Sequence, residues 1–364
     1  MNQKLPLTTA PDSLCILRLS ALGDVTHVVP VVRAIQSHWP TTKITWVCGA
    51  FESKLLANLE NVRFVTFNKS AGVKEYRALW QSLRDTHFDV LLHMQVSARA
   101  NIASLGIRAK IKLGWDSTRA RDMHSLCINA RVPFVKQQHQ VLGFLSFAQT
   151  LGIPVTEPSW QFPVDERAQG FVDQHLDNNR RTLIISPSSS HTLRNWTIEG
   201  YAAVADHAMQ CHNMQVILCG GPSASEVSLA QLITDATTGE LINLTGKDTL
   251  QQLIALIDAC DVVLSPDSGP LHLANALGKP VIGLYACTWS RRSGPFDSLH
   301  YCVDHFEQAA QDIMGASASS LRWGKRIERD GVMQMISVAE VTDKLDEVMK
   351  SLPALSMDAI PTPK

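Results

Sequence analysis

The sequence predicts an α/β protein with two domains, each built on a parallel sheet. Apolar runs of strand length alternate with segments of helical spacing along the chain, a pattern typical of parallel strands covered by helices. The 364 residues are about twice the size of a usual domain, so two hydrophobic cores are expected. Three prolines within residues 152–163 interrupt the alternation, and this stretch is the expected linker.

The first domain is expected over residues 1–160. Its predicted strands are apolar and bounded by loops, and its predicted helices repeat apolar residues every three to four positions. In chain order the elements are a strand at 14–19, a helix at 25–38, strands at 44–47 and 62–67, a helix at 75–86 and a strand at 90–94.

The second domain is expected over residues 161–340 and repeats one theme. Three predicted strands each run into a polar loop: 182–186, 216–219 and 261–265. The glycine and proline at 278–280 end the helix after the third loop, and a strand follows at 281–285. Since ligands of open parallel sheets collect at the carboxyl ends of strands, we expect the site in a cleft between the two domains.

Composition narrows the class of function. The chain has 33 Lys and Arg against 34 Asp and Glu, so no overall attraction to nucleic acid or to an anionic membrane is expected. An acidic partner then requires a local basic patch. The eight cysteines include no Cys-x-x-Cys pair and lie mostly in apolar runs, which indicates reduced core thiols. With neither a signal-like N-terminus nor an apolar run of roughly 18 residues, a cytoplasmic protein is expected.

Motifs of several common chemistries do not occur. The chain has no Asp-x-Asp, His-Glu-x-x-His, Gly-x-Ser-x-Gly, Walker-type loop or Gly-x-Gly-x-x-Gly. These absences argue against a metal held by carboxylates, a zinc protease, a serine hydrolase, a P-loop and a dinucleotide site. No metal is expected.

The loop and helix start at 266–272 indicate an anion site. Pro270 is typical of a first helical residue, and the free N–H groups of a helix start carry roughly half a positive charge. Gly269 has no Cβ to keep a phosphate from these groups, so a diphosphate is the expected ligand. His272 lies beside them and can donate to an anion. The alternatives are that Asp267 or Ser268 only caps the helix and that His272 is a core histidine.

Asp24 is the candidate catalytic carboxylate. It follows the first strand in the loop 19–24, where Gly23 permits a sharp turn. A carboxylate at the cleft edge could accept the proton of an attacking hydroxyl within a reach of about 3 Å. The alternative is a helix cap that stabilises the following helix by about 1 kcal/mol.

The hydroxyl-rich loop 188–196 and the helix start at 223 supply further polar candidates. Arg194 could neutralise charge on a departing diphosphate, or it could be a surface arginine without a role. Ser223 and Glu226 have the spacing of a capping box, which is the alternative to a role for Glu226 in accepting hydrogen bonds from sugar hydroxyls.

Basic residues of the first half of the chain are candidates for binding an acidic acceptor. The alternative is ordinary solvated surface charge. The candidates are Lys69, Lys74, Arg77, Arg119 and Arg121, with Ser20 of the loop before Asp24 as a further acceptor contact.

These motifs together resemble those of the bacterial lipopolysaccharide heptosyltransferases, glycosyltransferase family 9. The resemblance rests on Leu22-Gly23-Asp24, the serine-rich loop ending in Arg194, Gly220-Gly221-Pro222 with Glu226, and the run from Asp267 to His272. It extends over about residues 13–350, and the Asp-Ser-Gly-x-x-His element is its most specific part.

The resemblance implies a GT-B architecture of two Rossmann-like domains facing a central cleft. The first domain would hold the acceptor and the second the nucleotide-sugar, and the last segment, 341–364, would comprise a helix returning to the first domain and a flexible tail. The implied reaction is inverting and metal-independent. It moves heptose from ADP-L-glycero-β-D-manno-heptose to the inner core of lipopolysaccharide, either Kdo-lipid A or the first heptose. No cofactor and no nucleic-acid partner are implied, and a monomer fits. The lipid-linked acceptor would be met at the cytoplasmic face of the inner membrane.

The family pattern also assigns roles to residues. Asp24 matches the catalytic base and Glu226 the acceptor of donor hydroxyl groups. The diphosphate contacts it implies are Ser189, Ser190, Arg194, Asp267, Ser268, Gly269, Pro270 and His272. Arg194 stands where many members have lysine, Ser268 where many have threonine, and the segment 307–329 is longer than in compact members. Alternatives are a relative acting on another nucleotide-sugar or acceptor, an epimerase, and a nucleotide-sugar binding module without catalysis.

Overall fold

The computed structural model describes residues 5–354. The chain forms two compact units, Met1–Pro163 and Val164–Lys364, close to the predicted boundary after residue 160. Residues 152–163 run without helix or strand. Within residues 5–354, no helix combines the length and the apolar character that a membrane span requires.

The first unit contains a six-stranded parallel sheet with the order β3-β2-β1-β4-β5-β6. Its central strand β1 lies between β2 and β4, and the side chains of Leu14 through Leu17 are fully buried. The elements are β1 Ser13–Leu17, α1 Leu22–His38, β2 Lys43–Gly49, α2 Ala50–Leu55, β3 Val62–Phe67, α3 Val73–Ser82, β4 His87–His93, α4 Ala98–Leu105, β5 Arg108–Gly114, β6 Ala130–Arg131 and α5 Gln140–Leu151.

The second unit repeats this plan with the strand order β12-β11-β10-β7-β8-β9. Its core lies between the sheet and the helices that cover it. The elements are α6 Gln169–His175, β7 Thr182–Ile185, α7 Ile198–His212, β8 Gln215–Leu218, α8 Ala224–Ala236, β9 Ile242–Asn243, α9 Leu250–Ala259, β10 Val262–Pro266, α10 Gly269–Ala276, β11 Val281–Tyr285, α11 Ser290–Ser293, β12 Val303–Asp304, α12 Phe306–Met314 and α13 Val338–Ser351.

Two predicted element boundaries are wrong in ways that bear on the site. The helix α1 begins at Leu22 rather than Val25, so Asp24 lies in its first turn instead of in the loop before it. The helix α3 ends at Ser82 rather than at residue 86, and β4 begins at His87 rather than at residue 90.

The last helix differs from the prediction that it returns to the first domain. Three apolar side chains of α13, Val341, Leu345 and Val348, are fully buried in the core of the second unit. The helix packs on α7 and on the edge formed by β11 and β12. A capping box between Ser337 and Glu340 fixes its start. The predicted flexible tail lies, from residue 355 on, outside the described residues.

The cysteines fit the prediction of reduced core thiols in most positions. All eight are free, and the five at 15, 48, 219, 260 and 287 are buried. Burial raises the pKa of the Cys48 thiol to about 12, with a further contribution from Glu52, so this sulfur stays protonated at neutral pH. Cys211 differs from the prediction because it is exposed on α7.

Candidate active site

In the first unit, the Asp24 carboxylate caps the start of α1 and is also accessible to solvent. Its Oδ2 atom accepts a hydrogen bond from the backbone N–H of Ala21 at 3.3 Å, so the capping alternative is real. The carboxylate also receives a hydrogen bond from Arg18 at Oδ2 and one from Gln140 at Oδ1. The side chain of Asp24 nevertheless keeps 23% of its surface exposed. A hydroxyl group can therefore reach a carboxylate whose orientation is fixed.

Arg18 and Gln140 are functional candidates that sequence reasoning missed. Arg18 directly follows β1, and its guanidinium donates to the carbonyl of Met94 at 3.0 Å and lies 5.3 Å from the ring centre of Phe144. Gln140 is the first residue of α5, which packs against α1. The strand-end rule that selected other residues points to Arg18 as well. For Gln140 the sequence holds no such signal, since its contact with Asp24 spans 116 positions.

The predicted basic residues lie at separate places of the first unit. Lys69 follows β3 and forms an ion pair with Glu52 at 2.7 Å. Arg119 follows β5, pairs with Asp116 and lies 4.4 Å from the ring centre of Trp115. The strands β3 and β5 are four inter-strand spacings apart in the sheet, which at about 4.8 Å per spacing separates the two strands by roughly 19 Å. They do not form one patch. Lys74, Arg77 and Arg121 are exposed, and Ser20 is half-buried in the loop before α1.

In the second unit, the predicted anion turn stands at the end of β10. The N-cap residue Ser268 makes no side-chain hydrogen bond to the turn, and its Oγ atom lies 2.7 Å from Oγ of Ser265 instead. The helix α10 begins at Gly269, so Pro270 is its second residue rather than its first. The side chain of Ser268 therefore does not cap α10, and the start of this helix remains the candidate anion site.

Asp267 and His272 form a buried pair within this turn. Nε2 of His272 lies 3.3 Å from Oδ1 of Asp267, and the side-chain exposures are 8% and 15%. Burial acts to raise the pKa of Asp267, but its contacts with His272 and Thr288 and the charge of Arg194 outweigh burial and hold the pKa below its usual range. The carboxylate is therefore ionised and orients the imidazole of His272.

Arg194 is buried rather than a free surface arginine. Its guanidinium donates to Oε1 of Glu328 from Nη2 at 2.6 Å and from Nε at 3.0 Å. Although burial opposes it, this contact holds the pKa of Glu328 below its usual range. Only 8% of the Arg194 side chain is exposed, against 24% for Glu328. Glu328 comes from the long segment 307–329, and no local sequence pattern marks it.

Ser189 and Glu226 line one cavity of about 480 Å³ in the second unit. Such a volume lies within the range of small-molecule sites. Oε2 of Glu226 accepts from the backbone N–H of Gly221 at 2.7 Å, and Oε1 accepts from Oγ of Ser223 at 2.9 Å. The backbone N–H of Glu226 donates to Oγ of Ser223 at 3.3 Å, so Ser223 caps α8, whereas the backbone N–H that donates to the Glu226 carboxylate belongs to Gly221. Glu226 also lines the cavity. Ser190 is exposed beside it. The cavity is also lined by Asn195 and Trp196 of the predicted loop 188–196. Glu199, Ser225 and Gln334 line it too, and the sequence did not single them out.

Comparison with known proteins decides which family these features represent. The model of glycosyltransferase family 9 (heptosyltransferase) matches residues 76–318. The chain is also 41% identical over 341 residues to the lipopolysaccharide core heptosyltransferase OpsX of Haemophilus influenzae, covering 94% of this chain and 98% of OpsX.

The chain belongs to glycosyltransferase family 9. It is therefore a glycosyltransferase, as the sequence predicts. A second relative, lipopolysaccharide heptosyltransferase 3 of Escherichia coli K12, is 25% identical over 285 residues, covering 73% of this chain and 80% of that protein.

Solved structures of this family share the fold. A family 9 glycosyltransferase of Veillonella parvula matches with a TM-score of 0.76 at 18% identity, covering 94% of this chain and 98% of that one. ADP-heptose lipopolysaccharide heptosyltransferase II of E. coli matches with a TM-score of 0.72 at 20% identity, covering 93% and 99%. The predicted GT-B fold class is thereby confirmed.

This family 9 chain also carries a group of side chains with metal-ligand chemistry outside the strand ends. Nε2 of His207 and Nε2 of His212 lie 2.7 Å and 2.6 Å from Oδ1 of Asp346. The group joins α7 to α13, and all three side chains are partly exposed. Two imidazoles and a carboxylate are donors that suit a zinc-type ion. As the structure stands, the same contacts form a hydrogen-bonded bridge, and the sequence did not single out these residues.

Proposed function

We propose that this protein is an inverting heptosyltransferase of lipopolysaccharide inner-core synthesis. Its donor would be ADP-L-glycero-β-D-manno-heptose, and its acceptor Kdo-lipid A or the first heptose of the core. The observation that carries the proposal is the 41% identity to a lipopolysaccharide core heptosyltransferase along 98% of that relative. The candidate residues support it, because the chain offers both a carboxylate for a hydroxyl acceptor and an anion site for a leaving diphosphate.

The proposed reaction is a single displacement at the anomeric carbon of the heptose. The acceptor oxygen forms the new bond to this carbon as the bond to the β-phosphate oxygen of ADP breaks, and ADP leaves with the electron pair. Asp24 takes the proton of the acceptor hydroxyl. Arg18 and Gln140 donate to the carboxylate and keep it aimed. One displacement inverts the configuration at the anomeric carbon.

The second unit would stabilise the leaving ADP without a metal ion. The N–H groups at the start of α10 and an imidazole N–H of His272 would donate hydrogen bonds to the diphosphate, and the guanidinium of Arg194 would supply positive charge where charge develops on it. Arg194 first has to exchange Glu328 for the diphosphate. Ser189 and Glu226 would bind the nucleotide-sugar from the cavity, with Glu226 accepting hydrogen bonds from its hydroxyl groups.

The proposed acceptor also implies a place of action. A lipid-linked acceptor is met at the cytoplasmic face of the inner membrane, so the protein would work in the cytoplasm and visit that surface.

The test is release of ADP from ADP-heptose by the purified protein, with and without heptose-deficient lipopolysaccharide core. The expected result is ADP release that depends on the acceptor and persists in EDTA. ADP release without acceptor indicates a hydrolase or epimerase. ADP binding without release in the presence of this acceptor contradicts the proposed acceptor, and dependence on added divalent metal contradicts the metal-independent mechanism.

A further inference from the structure

One segment of the first unit has a charge unlike that of the chain as a whole. The segment 96–140 contains only two acidic residues, Asp116 and Asp122. The full chain, by contrast, has nearly equal numbers of acidic and basic residues, 34 and 33. The eight basic residues of this segment are Arg99, Arg108, Lys110, Lys112, Arg119, Arg121, Arg131 and Lys136. The segment is therefore strongly cationic.

Both acidic side chains of the segment are engaged locally. Oδ2 of Asp122 accepts from the backbone N–H of Ala98 at 3.0 Å, and Asp116 pairs with Arg119. Arg99 and Arg121 are exposed. Asp122 is exposed as well and keeps its negative charge, so the two arginines exceed the acidic charge beside them by one, and their guanidinium groups are presented to solvent.

The same segment exposes large apolar side chains. Half of the large apolar residues that are exposed in the described part of the chain fall within residues 96–140. They are Ile102, Leu105, Met123, Leu126, Phe134 and Val135, with exposures of 43%, 62%, 73%, 75%, 52% and 45%. A concentration of exposed apolar side chains marks an interaction site, whereas single ones are ordinary.

Helix α4 and two hydrogen bonds from side chains to backbone carbonyls bring four of these apolar residues to one place. Arg99, Ile102 and Leu105 recur every three residues on α4, so they share its outer face. The turn holding Met123 and Leu126 lies along that helix, because Nδ2 of Asn101 donates to the carbonyl of Asp122 at 2.6 Å. The Sγ atom of Cys127 also donates to the carbonyl of Asn101, at 3.7 Å. We call Arg99, Ile102, Leu105, Arg121, Met123 and Leu126 the α4 surface.

We propose that the α4 surface docks this protein on a bilayer containing anionic lipids. Exposed leucine, isoleucine and methionine side chains lower their free energy by entering the boundary between headgroups and acyl chains, and neighbouring arginines are attracted to anionic headgroups. The combination fits a membrane better than a nucleic acid, which offers phosphates but no apolar layer. The purpose of docking rests on the proposed function, since a lipid-linked acceptor lies in such a bilayer.

The test is flotation of the full-length protein with phospholipid vesicles. We expect binding to vesicles that contain phosphatidylglycerol, weaker binding at high salt, and little binding to vesicles of phosphatidylcholine alone. The variant Leu105→Ser/Leu126→Ser should lose at least about tenfold in vesicle affinity, and Arg99→Gln should weaken binding only to the anionic vesicles.

A matched control comes from exposed apolar residues elsewhere. Val227 and Leu232 on α8 are 42% and 48% exposed, so Val227→Ser/Leu232→Ser removes comparable apolar surface from the second unit. This variant should float as the wild type does. Equal flotation of the Leu105→Ser/Leu126→Ser variant and the wild type overturns the proposal. So does failure of the wild type to float, in which case the α4 surface has a protein partner or none.

A second readout separates this proposal from the proposed function. Heptose transfer to a soluble core acceptor without acyl chains should be unchanged in Leu105→Ser/Leu126→Ser, while transfer to the acceptor embedded in vesicles should fall. If the wild type transfers heptose to neither acceptor but floats as expected, the proposed function fails and the docking surface stands. If Leu105→Ser/Leu126→Ser and the wild type transfer heptose equally to the embedded acceptor, docking through the α4 surface is refuted while the proposed function stands.

Discussion

The ion pair between Arg194 and Glu328 predicts that one acidic side chain weakens nucleotide binding. Glu328 accepts two charge-assisted hydrogen bonds from the Arg194 guanidinium, at 2.6 Å and 3.0 Å, and only 8% of the arginine side chain is exposed. A diphosphate that binds Arg194 has to displace this partner or share it. The change Glu328→Gln keeps the shape of the side chain and removes its charge.

The size of the effect follows from the contacts that are exchanged. A hydrogen bond to a charged group contributes about 1.5–3 kcal/mol, and a neutral amide oxygen recovers part of this. A net gain of about 1.4 kcal/mol for ADP corresponds to a tenfold lower Kd. We therefore expect Glu328→Gln to bind ADP about tenfold more tightly than the wild type, measured by isothermal titration calorimetry near neutral pH.

A double-mutant cycle shows whether the effect passes through Arg194. In the background of Arg194→Met, where ADP binds more weakly, the additional change Glu328→Gln should alter the Kd far less than it does in the wild type. Unchanged or weaker ADP binding by Glu328→Gln would refute the reasoning. The same gain with and without Arg194 would show that Glu328 repels the ligand directly rather than by holding the arginine.

Three further predictions concern catalysis and stability. Asp24→Asn should lower kcat by about 10²–10⁴-fold and leave the Kd for ADP unchanged by calorimetry, because the proposed role of this residue is to take the proton of the acceptor hydroxyl. Burial lowers the pKa of His124 to about 4 and, together with the neighbouring His124, that of His93 to about 3. The unfolded chain binds these protons below about pH 6.5, so the free energy of unfolding should fall by about 1.4 kcal/mol per pH unit for each histidine as pH drops toward 4. Urea titrations across this range would show a flat profile if the two side chains were solvated. Leu345→Ala should destabilise the protein by about 2–5 kcal/mol, since α13 completes the second core, whereas a loss below 1 kcal/mol would contradict that packing.

The alternation of strands and helices was sufficient to predict the fold class and its two sheets. Long apolar runs such as 281–285 gave the strand bounds directly, because a strand buried on both faces needs a continuous apolar sequence. The two-residue edge strands Ala130–Arg131 and Ile242–Asn243 were missed, because two residues are too few to show an alternation of apolar and polar side chains. The start of α1 was misplaced because Gly23 indicated a turn, whereas the helix accommodates it in its first turn.

Sequence reasoning selects candidate residues where a strand ends and misses those that act through contacts between distant segments. Asp24 and Asp267 were selected because both follow a predicted strand. Glu328 and Gln140 were not, since their contacts with Arg194 and Asp24 span 134 and 116 positions, and no local pattern encodes such pairs. The roles assigned to these residues stay predictions until the variants are measured.

The central claim is that this chain transfers a heptosyl group to a lipopolysaccharide core hydroxyl with Asp24 as the base. Its most direct test is mass spectrometry of heptose-deficient core after incubation with ADP-heptose and either the wild type or Asp24→Asn. The account predicts that the wild type adds the mass of one heptosyl residue, and that the variant, which still binds ADP, adds almost none in the same time. An acceptor of unchanged mass with the wild type, or equal conversion by Asp24→Asn, would contradict it.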